Sequence, residues 1–401
     1  MRLKNLIHSS NKKKVNSIYL DYAASTPVAP DVLETMLPYF KERFGNPGSI
    51  HSFGQSAQGA LDKSREIITD ALGAKFSEVI FTSSATEANN LVLRGIIASA
   101  NIKNPQIIIS SIEHESILDT VKALEKEGVE VVYLPVSSEG LVNPDDVIKN
   151  IKDNTILVSI IYASNEIGTI QPIKEISNLI RNFRGSKTYP LFHTDAVQAL
   201  QFLDCRVEEL GIDLMTMSSQ KIYGPKGAGA LFIKGLEPKG SNKLKSIITG
   251  GGQEYNLRSG TENVPAIVGF AKALELIEKN KSIEAKRIKQ LRNHLWERLK
   301  IMKPELELNG PDVDSSSRLE NNLNIYFPGH EAQDLVIKLD MAGVSVSTGS
   351  ACSSRSTKAS YVVKALDLGE DRDKSSLRIS LGRPSTLSEV DKAYEEILNL
   401  L

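Results

Sequence analysis

Between residues 78 and 233 short apolar runs recur along the chain: EVIFT (78–82), QIIIS (106–110), VEVVYL (129–134), TILVSII (155–161), YPLFHT (189–194), DLMTMS (213–218) and GALFI (229–233). They are rich in Val and Ile and alternate little with polar residues, which suits strands buried on both faces of a mainly parallel sheet. Between several of them lie helical patterns, such as HESILDTVKALEKEG (114–128), which stops at a glycine. Strand and helix in turn predict an α/β fold with helices on both faces of the sheet.

The pattern changes after Asn263. A helical stretch, VPAIVGFAKALELIEKNKSIEAKRIKQLRNHLWERL, runs over many turns and ends near Lys303 and Pro304. A smaller α+β region follows, with strand candidates NNLNIYF (321–327) and SLRISL (376–381) and helical stretches at 331–342 and 387–400. The expected organisation is a basic tail at 1–17, a large domain over 18–265, and a small C-terminal domain over 266–401 that carries a polar loop at about 344–360. In open α/β sheets ligands bind beyond the C-terminal ends of the strands, so polar residues just after the apolar runs carry the most weight.

Composition narrows the function classes. Of 401 residues, 41% are hydrophobic and 24% charged, with a formal net charge of -1, so no overall field favours nucleic acid or an acidic membrane. The two cysteines, Cys205 and Cys352, are too few for a disulfide framework, and a reducing, cytoplasmic setting is expected. No apolar run approaches the ~20 residues of a membrane span. The start, MRLKNLIHSSNKKKVNS, is basic and polar and lacks the apolar core of a secretory signal. HExxH, CxxC, GxSxG and GxxxxGK[ST] are all absent, which removes metalloprotease, zinc-ribbon, serine-hydrolase and P-loop readings, and no metal is expected.

Several residues could carry chemistry. Lys221 follows a strand candidate and precedes a glycine-rich turn in SSQKIYGPKG (218–227). A lysine in low-dielectric surroundings loses its proton more readily and can form a Schiff base, although a surface lysine in a loop is the plainer alternative. Asp195 directly follows an apolar strand, where a carboxylate needs a cation or hydrogen bonds. It could equally cap a helix over AVQAL, with Gln198 one turn on. TSSATEANN (82–90) could present helix-start N–H groups to a phosphate, or form a capping box from Ser84 to Glu87. His114 could act as acid–base or stack on a ring, or simply start a helix; Asn165 could be functional or a turn former. Cys352 lies in VSVSTGSACSSRSTKAS (344–360), a polar segment with little to bury, unlike an ordinary core cysteine; Cys205 fits the core reading. Arg258 and Thr261, beside the GGG stretch, could hold an anion. Arg378, on a strand candidate, could clamp a carboxylate or form a surface charge pair.

Taken together, these segments resemble the class V aminotransferase group of fold-type I pyridoxal-phosphate (PLP) enzymes, and within it the cysteine desulfurases. The similar motifs are YLDYAASTPV (19–28), FGNPGSIHSFG (44–54), FTSSATEANN (81–90), EHESIL (113–118), NEIGTIQPI (165–173), HTDAVQ (193–198), SSQKIYGPKG (218–227), GGGQEYNLRSGTENV (250–264), STGSACSS (347–354) and SLRISLGRP (376–384), in the family's order. The form STGSACSS is similar to the desulfurase branch that serves iron–sulfur assembly; other class V members usually lack that cysteine. The resemblance implies that Lys221 bonds to the cofactor aldehyde, Asp195 pairs with the pyridinium nitrogen, and Gln198 with the ring oxygen. It implies that His114 stacks on the ring and moves protons. On the same resemblance Ala85, Thr86, Ser218 and Gln220 would hold the phosphate, and Thr261 would reach the phosphate of the neighbouring subunit in a homodimer. The resemblance also implies that Asn165, which belongs to the cofactor site as well, and Arg378 would hold the substrate carboxylate, and that Cys352 would accept sulfur. The implied reaction converts L-cysteine to L-alanine and a persulfide, passed to a sulfur-acceptor protein such as an iron–sulfur scaffold or into transfer-RNA thiolation. Selenocysteine lyase, or another class V aminotransferase, is the nearest rival reaction, and a binding-only subunit the rival of another kind. One departure stands out: the family usually has histidine where this chain has Gln220. Glutamine still offers an N–H donor but cannot be charged.

Overall fold

The computed structural model describes residues 17–239, 243–349, 359–369 and 371–401. The expected tail at 1–17 falls almost wholly outside these residues, as does Cys352. Among the described residues are twelve strands: β1 (Ile18–Tyr19), β2 (Val79–Thr82), β3 (Gln106–Ser110), β4 (Glu130–Leu134), β5 (Thr155–Ser159), β6 (Leu191–Asp195), β7 (Leu214–Ser218), β8 (Gly229–Ile233), β9 (Glu307–Leu308), β10 (Asn322–Tyr326), β11 (Val344–Ser345) and β12 (Ser376–Ser380).

Seven of them form one sheet in the order β2-β8-β7-β6-β5-β3-β4. Only β8 runs against the rest, because it pairs antiparallel with both β2 and β7 while the other pairings are parallel. The sheet is therefore mainly parallel, as the unbroken apolar runs predict. Each run feeds two cores, since successive side chains of a strand point to opposite faces. Ile108, Val158, Phe192 and Met215 pack on one face, under the helices Ser52–Leu72, Ile173–Arg184 and Val264–Met302. Ile107, Ile109, Leu157 and Leu214 pack on the other, under Ala85–Ser99 and Glu115–Lys126. In TILVSII the last two residues leave the sheet, and Ile161 instead lines a cavity.

The C-terminal part builds a second sheet, β12-β10-β9, entirely antiparallel. It includes both predicted strands and adds the two-residue β9. The N-terminal segment is drawn to this region: β1 pairs parallel with β11, and Asp21 bridges to Ser380. The tripeptide Asn165–Glu166–Ile167 ties the two sheets together. The Asn165 carbonyl accepts from Arg378 Nη1 at 3.0 Å. The Glu166 carbonyl accepts from Asn322 at 3.0 Å and Asn324 at 3.1 Å, and the Ile167 carbonyl from Arg318 at 3.1 Å. Three successive main-chain acceptors are thus satisfied by side chains from the C-terminal part, as buried backbone groups require.

Candidate active site

Because β2, β3, β5, β6 and β7 all point one way, the loops after them converge at a single edge of the sheet. They surround a cavity of about 310 Å³, the placement expected for a ligand site in an open α/β sheet. Ala85 and Thr86 come from the β2 loop, His114 from β3, Asn165 from β5, Asp195 and Gln198 from β6, and Ser218, Gln220 and Lys221 from β7; Arg378 closes the wall from β12. Of the site residues that the resemblance implies, the structure brings together all except two: Thr261 is exposed and does not line this cavity, and Cys352 lies outside the described residues.

Lys221 sits in a single helical turn, Ser219–Lys221, at the end of β7. Its Nζ donates to the Ala23 carbonyl at 3.0 Å and to the Ala24 carbonyl. It is not a surface lysine: a strap formed by residues 21–26 wraps this turn. Thr26 accepts from the Tyr223 N–H at 2.8 Å and donates its hydroxyl to the Gln220 carbonyl at 3.0 Å, while Gln198 donates to the Ala23 carbonyl at 2.9 Å. The strap's alanine carbonyls were not legible as site groups, because their role is carried by backbone rather than by a recognisable side chain.

Asp195 ends β6 and is buried. One carboxylate oxygen accepts from Asn89 Nδ2 at 2.8 Å and the other from the Val197 N–H at 3.0 Å. The alternative of a helix cap over AVQAL is corrected here. That segment forms a turn, and Asp195 closes the start of it through its bond to Val197. Asn89 also donates to the Ser116 hydroxyl at 2.9 Å, and that hydroxyl lies 2.8 Å from His114 Nδ1. His114 caps the helix Glu115–Lys126, with Nδ1 accepting from the Ser116 N–H at 3.1 Å. An accepting Nδ1 places the proton of a neutral ring on Nε2.

The helix Ala85–Ser99 begins at the cavity. Its cap is Ser84, whose hydroxyl accepts from the Glu87 N–H at 3.1 Å. The second half of the expected capping box is absent: Glu87 turns away to accept from the Ser83 N–H at 2.9 Å and from Arg258 Nε at 2.9 Å. Arg258 therefore reaches this helix start through Glu87. Gly229 of β8 lets the turn come so close, since a Cβ there would lie 2.7 Å from the Ser84 carbonyl carbon and 3.0 Å from the Ala85 nitrogen. The segment bearing Arg258 and Thr261 is anchored by a buried pair. Arg65 grips Glu254 with two hydrogen bonds, at 2.7 and 2.9 Å, and Glu254 also accepts from the Phe81 N–H at 2.8 Å. These bonds hold Glu254, Tyr255 and Asn256 in left-handed backbone, with φ of 46°, 57° and 62°.

Two buried carboxyls near the site were missed in the sequence. Glu166 lines the cavity, accepts from the Ser360 hydroxyl at 2.6 Å, and has its pKa raised by burial. Glu113 lies fully buried behind His114. It accepts from the Ser110 hydroxyl at 2.5 Å and from the Ile161 N–H at 2.7 Å, yet burial pushes its pKa up to about 8. The folded protein then keeps a proton that the unfolded chain releases above its ordinary value of 4.5, so this contribution to stability is lost as pH rises towards 8. His193, buried between Ser159 and Thr216, has its pKa lowered by burial to about 3, so its contribution is lost as pH falls below its ordinary 6.5. Between pH 6.5 and 8 the Glu113 effect acts without that opposition. Thermal unfolding should fall across this window, and Glu113→Gln should flatten the fall. An unchanged slope would remove the buried proton from Glu113.

Cys205 is buried, and burial pushes its thiol pKa up to about 12, in keeping with a core cysteine. The surface-pair alternative for Arg378 is corrected: its side chain is 1% exposed and pairs with Asp21 at 2.7 Å.

This sheet order, with a lysine, a buried carboxylate and a helix start meeting at one edge, is the architecture of fold-type I PLP enzymes. The chain belongs to the aminotransferase class-V family, whose profile matches residues 18–393. It is 45% identical over 387 residues to the cysteine desulfurase IscS of Dictyoglomus turgidum, covering 96% of this chain and 94% of that protein. Among solved structures, a NifS-like protein superposes with a TM-score of 0.87 at 34% identity, covering 96% of this chain and 100% of the other. SspA in complex with cysteine superposes with a TM-score of 0.78 at 36% identity, covering 91% and 99%. Among the described residues no helix is long and apolar enough to cross a membrane.

Proposed function

We propose that this chain is a PLP-dependent cysteine desulfurase that converts L-cysteine to L-alanine and takes the sulfur as a persulfide on Cys352. One observation carries the reading: Lys221 and Asp195 share a cavity with Arg378, and Arg378 donates to the carbonyl of Gly349, three residues before Cys352. Three residues of chain span at most about 11 Å, so the thiol is tethered to the wall of the lysine's own cavity.

The residues fit the cofactor. Lys221 offers an amine held by two carbonyls, and Asp195 a buried carboxylate fixed by Asn89. The helix start at Ala85, with Ser218 and Gln220 beside it, would hold the phosphate. When bound, PLP supplies an electron sink for bond breaking at the substrate. Lys221 then moves the proton at the substrate α-carbon, and His114, whose Nε2 carries a proton in the neutral ring, exchanges protons with the reacting groups. The Cys352 thiolate attacks the substrate sulfur: an S–S bond forms and the substrate C–S bond breaks. One thiol and one cysteine give one persulfide and one alanine, so no outside oxidant is needed. The expected result is alanine formed from L-cysteine in equal amount to transferable sulfur. Rapid turnover of selenocysteine with none of cysteine, or amino transfer to a keto acid, would select a rival class V reaction.

We also read the protein as a homodimer. Leu37, Phe40, Phe44, Ile50 and Phe53 are exposed, with the Phe44 and Phe53 rings 5.5 Å apart, a patch that a second copy would cover. The same contact would bring Thr261 to the neighbour's phosphate site. A sedimentation mass of one 43.9 kDa chain would exclude this. A reducing, cytoplasmic setting suits a thiol that must stay free, and the acceptor is an iron–sulfur scaffold or a transfer-RNA thiolation protein.

A further inference from the structure

We propose that Asp21 is an internal stand-in for the substrate carboxylate, a residue that sets affinity and selectivity at Arg378. The inference rests on the reading of Arg378 as the carboxylate seat. Arg378 has five N–H groups. Its Nη1 donates to the Asn165 carbonyl at 3.0 Å and to the Gly349 carbonyl at 2.5 Å. Its Nη2 donates to Asp21 Oδ1 at 2.7 Å, and its Nε, also buried, has no hydrogen-bond partner among the described residues. The hydrogens left over lie on Nε and Nη2, the side-on fork that a second carboxylate engages with two bonds.

The arrangement separates two jobs. The two carbonyls on Nη1 orient the guanidinium and do not depend on Asp21. Asp21 supplies the counter-charge, which a guanidinium 1% exposed requires when no ligand is present. Asp21 is also the partner able to yield. Its side chain is 14% exposed, while its backbone is fixed by bonds from the Tyr19 hydroxyl at 2.9 Å and the Ala24 N–H at 3.0 Å to its carbonyl. The side chain can turn away without moving the strap that holds Lys221.

An arriving carboxylate therefore meets a cation already neutralised and a like charge beside it. Glu166, a second carboxyl on the same wall, adds to this when ionised. A bare carboxylate gains little at such a seat. An α-amino acid, which brings an amine to the lysine side of the cavity, gains enough elsewhere to displace or share with Asp21. The proposed consequence is a filter for amino acids against simple organic acids.

The test uses the holoenzyme and three variants, each first checked for the visible absorbance of bound cofactor. Asp21→Asn keeps a hydrogen-bond acceptor and removes the charge. It should lower KM for L-cysteine and the inhibition constants of L-alanine and propionate by about fivefold, with propionate gaining most, and the change should fall on KM rather than kcat. Asp21→Glu, which retains the charge, should restore weak propionate binding. A rise in KM for Asp21→Asn would overturn the proposal and make Asp21 an orienting residue instead, and unchanged constants would overturn it as well. Arg378→Lys separates the two layers. If it leaves KM for cysteine unaltered, the carboxylate seat lies elsewhere and the inference falls with it. If it raises KM while Asp21→Asn fails to lower it, only the stand-in role is lost.

Discussion

Replacing Lys221 with alanine should abolish the visible absorbance of lysine-bound cofactor and cut turnover of L-cysteine by about a thousandfold or more. The amine has two duties at one place. In the proposed reaction it is both the group that bonds to the cofactor and the base nearest the substrate α-carbon. The structure shows how it is kept ready. The Ala23 and Ala24 carbonyls accept from Nζ and hold the side chain in the cavity, and Thr26 pins the turn beneath it through Gln220 and Tyr223. Because these strap bonds to Gln220 and Tyr223 do not involve Nζ, the variant should stay folded, with a thermal midpoint near that of the parent apoprotein. The measurements are an absorbance spectrum and a thermal melt on the same sample. Lysine-bound absorbance retained in a folded Lys221→Ala protein would refute the assignment.

Replacing Cys352 with serine should have the opposite signature. Cofactor absorbance should remain, because Asp195, the helix start at Ala85 and Lys221 are untouched. Sulfur release from cysteine should fall by about a thousandfold or more, the scale on which enzymes lose activity with their nucleophile. A serine hydroxyl is not ionised near neutral pH and cannot form a persulfide, whereas a thiol is partly ionised there and more so beside cations. Cys205 cannot substitute, since it is buried with its pKa pushed up to about 12. Sulfide measured against alanine separates the cases, and near-normal release from the serine variant would end the nucleophile role.

How much of this could be read from residues alone depended on where each signal lay. The seven-stranded sheet was visible because each strand is a contiguous apolar run, buried on both faces in six of the strands and half-buried in the edge strand β4. The two-residue strands β1, β9 and β11 carry no such run; their pairing is decided by tertiary contact. The helix Ser52–Leu72 was also absent from the predicted elements, although Ala57, Leu61, Ile68 and Leu72 bury one side of it. Its remaining residues are largely polar, so the apolar stripe is thin. At the site, residues directly after a strand were found because sheet geometry places them together. Asp21 and Ala23 reach the site by a route that strand ends do not mark, through the strap that meets Arg378 and Lys221. Asp195 shows the limit of motif chemistry: the aspartate stands out, but its residues alone left open a helix cap over AVQAL, and the segment it closes is a turn.

The tripeptide Asn165–Glu166–Ile167, whose successive carbonyls are all claimed by side chains from beyond residue 317, bears on attempts to recombine this enzyme with its relatives. A chimera that joins the front of one homologue to the back of another cuts through a lock made of one short loop and four distant keys. Such hybrids should fold well only when the loop and Arg318, Asn322, Asn324 and Arg378 descend from the same parent, whatever crossover point is chosen between them.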